Sequence, residues 1–181
     1  GVQLSTFYNA TGDCMRGLQL AAIQNTAVRR AWGAQIAAMT NFIIGDGRGM
    51  QLAGLTNIAG SRFRGFQLAG GVNLASSSVK IVQIAGINNI CADTLKGVQI
   101  SLGNYTGTLK GVQIGVINVC SGEVKGVQVG IINRSADTST VKIGLVNINP
   151  KTRIGAMFYG GNTTKINFAV RFTNQHIYTL L

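Results

Sequence analysis

A chain of 181 residues is long enough for one domain with a sizeable core, and 46% hydrophobic against 12% charged residues excludes a disordered tail. Twenty-five glycines beside a single proline exclude a collagen-like chain. Sixteen lysines and arginines against five acids give a formal charge of +11, which points to an anionic neighbour: nucleic acid, acidic glycan, lipid A phosphate or a membrane surface.

The first element begins at Gly1 and sets the pattern for the rest. Gly1-Val-Gln-Leu-Ser is followed by Gly17-Leu-Gln-Leu-Ala, Gly33-Ala-Gln-Ile-Ala, Gly49-Met-Gln-Leu-Ala, Gly65-Phe-Gln-Leu-Ala, Ile81-Val-Gln-Ile-Ala and Gly97-Val-Gln-Ile-Ser, at a constant spacing of 16 residues. Gly111-Val-Gln-Ile-Gly and Gly126-Val-Gln-Val-Gly follow at spacings of 14 and 15, and two degenerate units are expected around Val141-Lys-Ile-Gly and Arg153-Ile-Gly. Because the chain opens on a repeat boundary without Met, it is expected to be a processed product or a piece of a longer protein.

Columns run through these units. The glutamine column ends by changing to Lys142 and Arg153. Two residues after each glutamine comes Ser, Ala or Gly, so this column is expected to face a tightly packed surface. An asparagine follows six residues after the glutamine as far as Asn89, and five after it from Asn104 onward. One residue has therefore been lost from each later unit near the Ala-Gly bend, which fits a corner, where a deletion does not flip a strand face.

Period-two alternation and β-branched residues make each unit strand-forming. Two strands and two turns in 16 residues leave about 5–6 residues per strand, short of the ~9–11 that a membrane-spanning strand needs. Units this short and glycine-punctuated do not form a helix pair. No apolar stretch reaches the ~20 residues of a membrane helix. The expected fold is all-β, a β-solenoid of about eleven coils over residues 1–157, forming a rod of roughly 50 Å at ~4.8 Å per coil. In it Gln51, Gln67, Gln83, Gln99, Gln113 and Gln128 stack in register as an amide ladder. Asn and Gly are assigned to corners. Residues 158–181 hold an alternating stretch, Lys165 to Thr173, expected to cap the solenoid or begin a further β region.

The chemistry of catalysis is sparse. The single histidine, His176, lies outside the repeats. The acids Asp13, Asp46, Asp93, Glu123 and Asp137 fall at the far corners of separate coils, whereas paired-carboxylate chemistry needs two of them ~5–9 Å apart. No phosphate-loop, dinucleotide or His-Glu-x-x-His motif is present. Cys14, Cys91 and Cys120 are odd in number and form no Cys-x-x-Cys pair, against a zinc site or a disulfide framework. Cys91 and Cys120 occupy a slot otherwise often Ala, two residues after an asparagine, and read as small buried residues. No cofactor, no metal and no catalytic residue is expected; the chain is read as a non-enzyme.

One column does carry chemistry. The residue before each unit is Arg16, Trp32, Arg48, Arg64, Lys80, Lys96, Lys110 and Lys125. At ~4.8 Å in water, neighbouring charges repel by about 0.9 kcal/mol before screening, so stability alone does not select such a line. It is the candidate binding site, for a linear polyanion such as acidic glycan or lipopolysaccharide. The alternative reading of the same column is a solvated stripe that keeps sheets apart. Nucleic acid is the weaker partner, because no aromatic ladder accompanies the charges.

The units Lys110 to Asn118 and Lys125 to Asn133 resemble a family of bacterial surface-repeat proteins of spirochaetes and Bacteroidetes, with units like Lys-Gly-Val-Gln-Ile-Gly-Leu-Ile-Asn. The resemblance covers about residues 1–157. It implies export to the cell surface or outer membrane, and a partner in another outer-membrane protein or in a further C-terminal region of the same chain. Gln113 to Asn118 also resembles curli fibre repeats, although the longer curli unit and its Gly-Asn turns are missing. Two roles are expected from this: a non-catalytic surface scaffold or binding rod, or a plug- or fibre-forming element of an outer-membrane assembly.

Overall fold

The computed structural model describes residues 1–138, 140–159, 167–173 and 178–180. A typical 16-residue unit forms an eight-residue strand and a four-residue strand, as in Cys14–Ala21 and Gln24–Ala27. Each strand pairs in parallel with its equivalent one unit along, and the result is a β-solenoid of about nine turns. The pairing puts Gln51 beside Gln67, then Gln83, Gln99, Gln113 and Gln128 in one unbroken register.

The stack ends before the expected eleven coils. Lys142 pairs with Gln128 and Asn147 with Asn133, so the Val141 unit belongs to it. Arg153 does not. Arg153–Tyr159 runs antiparallel to Asn167–Thr173, which pairs in turn with Tyr178–Leu180 in a separate three-stranded sheet. The Arg153 segment has Phe158 and Tyr159 where a coil would need asparagine, so it cannot build the second wall. The change of architecture thus falls between Ile148 and Arg153, inside the 1–157 stretch assigned to coils.

The interior is built from amides and small residues. From Gln19 to Gln128 the ladder glutamines are at most 1% exposed, and each donates from Nε2 to the Oε1 of the preceding rung at 2.6–2.9 Å. Asparagine was expected at corners, but Asn25 to Asn133 lie inside the second strand, at most 2% exposed. They form a second ladder, each Nδ2 donating to the Oδ1 of the following rung at 2.9–3.1 Å. The same Nδ2 also donates to a backbone carbonyl of the next turn, as Asn41 does to Leu52 at 2.6 Å. A carbonyl only accepts, so this bond fixes which way the amide points. The two ladders therefore donate in opposite directions along the rod. An unpaired buried amide costs ~1–3 kcal/mol, so each rung holds its neighbours in register.

Packing around the ladders is complementary from turn to turn. The small column faces inward as expected, with Ala21, Ala37, Ala53, Ala69 and Ala85 buried. Phe63 is 1% exposed, and a β-carbon on Gly47 one turn before would come 2.5 Å from its ring and 2.9 Å from the Ile43 side chain. Gly47 therefore leaves the room that Phe63 and Ile43 fill.

The glycine that opens each unit is the corner residue the sequence promised. Gly17, Gly33, Gly49, Gly65, Gly97 and Gly111 have φ between 115° and 150°, and a β-carbon there would strike the carbonyl of the same residue one turn back. Ile81 stands in this column with φ 109°, a conformation strongly disfavoured for a β-branched residue.

Candidate functional site

Strand pairing carries the basic column in one line: Arg16 beside Trp32, then Arg48, Arg64, Lys80, Lys96, Lys110 and Lys125. Lys80 is half-buried and the others are exposed. Among the described residues the only ion pair made by a member of the line is Lys125 to Glu123 at 3.0 Å. The charges thus stand one strand spacing apart with little internal neutralisation.

Trp32 interrupts the charges but not the surface. The Arg16 guanidinium lies 4.8 Å from the centre of its ring, so the indole carries a cation on its face. A cleft of about 260 Å³ opens beside it, lined by Trp32, Asp46, Gly47, Arg48, Arg62 and Arg64. Arg62, outside the line, donates to Asp46 Oδ2 at 2.8 Å, and Ser61 donates to Oδ1 at 2.8 Å. The Arg62 hydrogen bond holds the Asp46 carboxyl below its ordinary value. The Trp32 contact was not read from the sequence, since a lone aromatic in a basic column looks like a defect until register places Arg16 against it.

The outward surface beside the line is apolar, which sequence reasoning also missed. Alternation puts every ladder glutamine inside, so the residues on either side of it point out. These are Leu18 and Leu20, Ala34 and Ile36, Met50 and Leu52, Phe66 and Leu68, and so on through Val127 and Val129. All are half-buried or exposed, Leu68 and Ile114 at 40% each. The next corner adds Ile23, Met39, Leu55, Ile87, Leu102, Val116, Ile131 and Leu145, all exposed. These exposed columns make the outer side of the ladder strands a candidate interaction surface. The basic line lies just across the glycine corner from it.

The remaining candidates do not assemble. Asp13 lies 3.6 Å from Arg29, Asp93 accepts from the Thr94 hydroxyl at 3.1 Å, and Asp137 accepts from the Val124 amide at 3.4 Å. Among the described residues no three acids, histidines or cysteines come together as a metal site. Cys91 and Cys120 are buried as expected, and burial pushes both thiols up, away from nucleophilic character. His176 lies outside the described residues.

The coil after Gln128 closes the ladder differently. Lys142 takes the rung, but its Nζ turns to the Ile148 carbonyl at 3.1 Å, and Gln128 Oε1 is left buried without a hydrogen-bond partner. Burial lowers the Lys142 pKa.

Comparison with family models, with curated proteins and with solved structures finds no match for this chain.

Proposed function

We propose that this protein is a non-catalytic binding rod of the cell surface or outer membrane, and that the line from Arg16 to Lys125 holds an anionic ligand: acidic glycan or lipid headgroups. The observation that carries this is the register of the line itself. Cations repeat at the strand spacing along one edge, while the ladders and apolar packing inside hold the fold without them. A linear polyanion spaced along the rod meets several of these charges at once, which a single exposed ion pair cannot match. Nucleic acid fits less well, since Trp32 is the chain's one tryptophan and the line offers no series of stacking platforms. The apolar outer face also supports a second reading, a plug- or fibre-forming element of an outer-membrane assembly.

Heparin and lipopolysaccharide binding by the parent and by the triple variant Lys80→Gln, Lys96→Gln, Lys110→Gln tests the proposal. The parent is expected to bind tightly at low salt and to lose binding steeply as salt rises. The variant is expected to bind more weakly with its β-sheet signal unchanged. Equal binding by the two, or binding indifferent to salt, would sink the polyanion reading.

A further inference from the structure

The basic line and the apolar face lie on adjoining sides of one glycine corner, and a ligand that uses both must be anionic and apolar together. A polysaccharide satisfies the charges but leaves columns of Val, Leu and Ile in water. A second copy covers the apolar columns but brings another chain of charge +11 alongside. Resting on the binding reading above, we infer that the rod lies lengthwise on an anionic lipid surface. The Leu and Ile columns then enter the boundary between headgroups and acyl chains, and the line of Arg and Lys meets the phosphates. This is the physical pattern of interfacial adsorption, apolar area flanked by cations. Here it is built on a parallel sheet rather than on a helix. The charge complementarity decides for the membrane over the other occupants, because the line runs beside the apolar face from the Gly17 unit to the Gly126 unit.

The chain carries its own reporter. Trp32 is the only tryptophan and stands in the basic line beside the apolar face. In the unmodified chain, vesicles rich in phosphatidylglycerol are expected to shift its emission to shorter wavelength, and lipids brominated near the headgroup end of the acyl chain to quench it. Neutral phosphatidylcholine vesicles are expected to do neither. Two triple variants separate the contributions. Lys80→Gln with Lys96→Gln and Lys110→Gln is expected to weaken vesicle binding about 100-fold, from roughly fivefold per charge. Leu68→Thr with Ile84→Thr and Ile100→Thr is expected to abolish vesicle binding while heparin binding stays at the parent's level. If the threonine variant binds vesicles as the parent does, the lipid inference fails while the polyanion reading stands. If the glutamine variant binds both heparin and vesicles as the parent does, the binding reading fails as well. A concentration-dependent dimer in sedimentation, abolished by the threonine substitutions, would show that a second copy covers the face and would overturn the inference.

Discussion

The coils up to the Ile81 unit and those from the Gly97 unit onward share both ladders yet turn the corner between them differently. In the earlier coils two residues, such as Ala22 and Ile23, separate the glutamine strand from the asparagine strand. In the Gln113 coil the break disappears, and one strand runs from Gly103 to Cys120. The small column changes with it. At Gly130 a β-carbon would lie 2.6 Å from Asn118 Nδ2 and would also strike the Gly115 carbonyl; Gly144 meets Asn133 Nδ2 at the same 2.6 Å. Even the bond across the interior changes sense. In the longer coils the asparagine amide reaches back to its own glutamine's carbonyl, as Asn41 does to Gln35 at 3.1 Å. In the shorter ones the glutamine amide reaches forward past the asparagine, as Gln128 does to Arg134 at 3.3 Å, a bond that among the longer coils Gln19 makes to Thr26 beside the backward one. The lost residue comes first, with Ser101 still in the small column, and glycine fills that column from Gly115 onward, where a β-carbon would meet the asparagine amide.

The strongest way to probe this comparison is through what the two regions share. Gln67→Ala and Gln113→Ala should each destabilise by about 4 kcal/mol, from stranded amide partners and a cavity. Equal losses in chemical denaturation would show that the ladder is indifferent to corner length; a gap above about 2 kcal/mol would show that it is not. The corner itself should discriminate sharply. Gly130→Ala is expected to cost about 3 kcal/mol through overpacking, whereas Ala69→Gly in a longer coil should cost about 1 kcal/mol. Comparable costs would mean the short corner has room to spare.

Two substitutions should stabilise, one in each region. Lys142→Gln supplies an amide donor for Gln128 Oε1 and removes a half-buried charge, a gain of about 1–2 kcal/mol. Its pH signature is distinct. The folded pKa of Lys142 lies below its ordinary 10.5, so between the two values the unfolded chain binds the extra proton and stability rises with pH. That rise should be missing in the glutamine variant. Ile81→Gly restores the corner residue and should gain about 1 kcal/mol by relieving the positive φ. The smallest effect belongs to Asp46→Asn. This exposed pair with Arg62 should contribute little, and that contribution fades as pH falls through the lowered Asp46 pKa.

Most of the architecture was legible because equivalent residues in a solenoid touch one another, so a column in the sequence becomes a contact in space. The glutamine ladder, the small column, the glycine corner and the basic line all follow from that rule. Other features did not, among them the asparagine ladder, expected at corners, and the Arg16 contact with Trp32. Alternation separates Gln83 from Val82 and Ile84 but does not say which set faces the core, and ordinary hydrophobicity would choose the valine and isoleucine. The amides can go inside because each is paired one turn away in both directions, so burial strands no polar group and removes the competing water. The inversion leaves the apolar columns outside and creates the candidate surface. Arg153-Ile-Gly was read as a coil from a short match alone, and only the missing asparagine betrays it.

The opposed sense of the two ladders bears on how long such a rod can be. In a helix every peptide dipole points one way, and partial charge gathers at the ends. Parallel strands contribute little net dipole, but one amide ladder alone would add a unit of polarisation with every turn. Here the glutamine amides donate toward the first coil and the asparagine amides toward the last, so each turn brings two moments that oppose each other. Turns can be added or removed without building up dipole charge at either end, so the ladders themselves set no limit on the length of the rod.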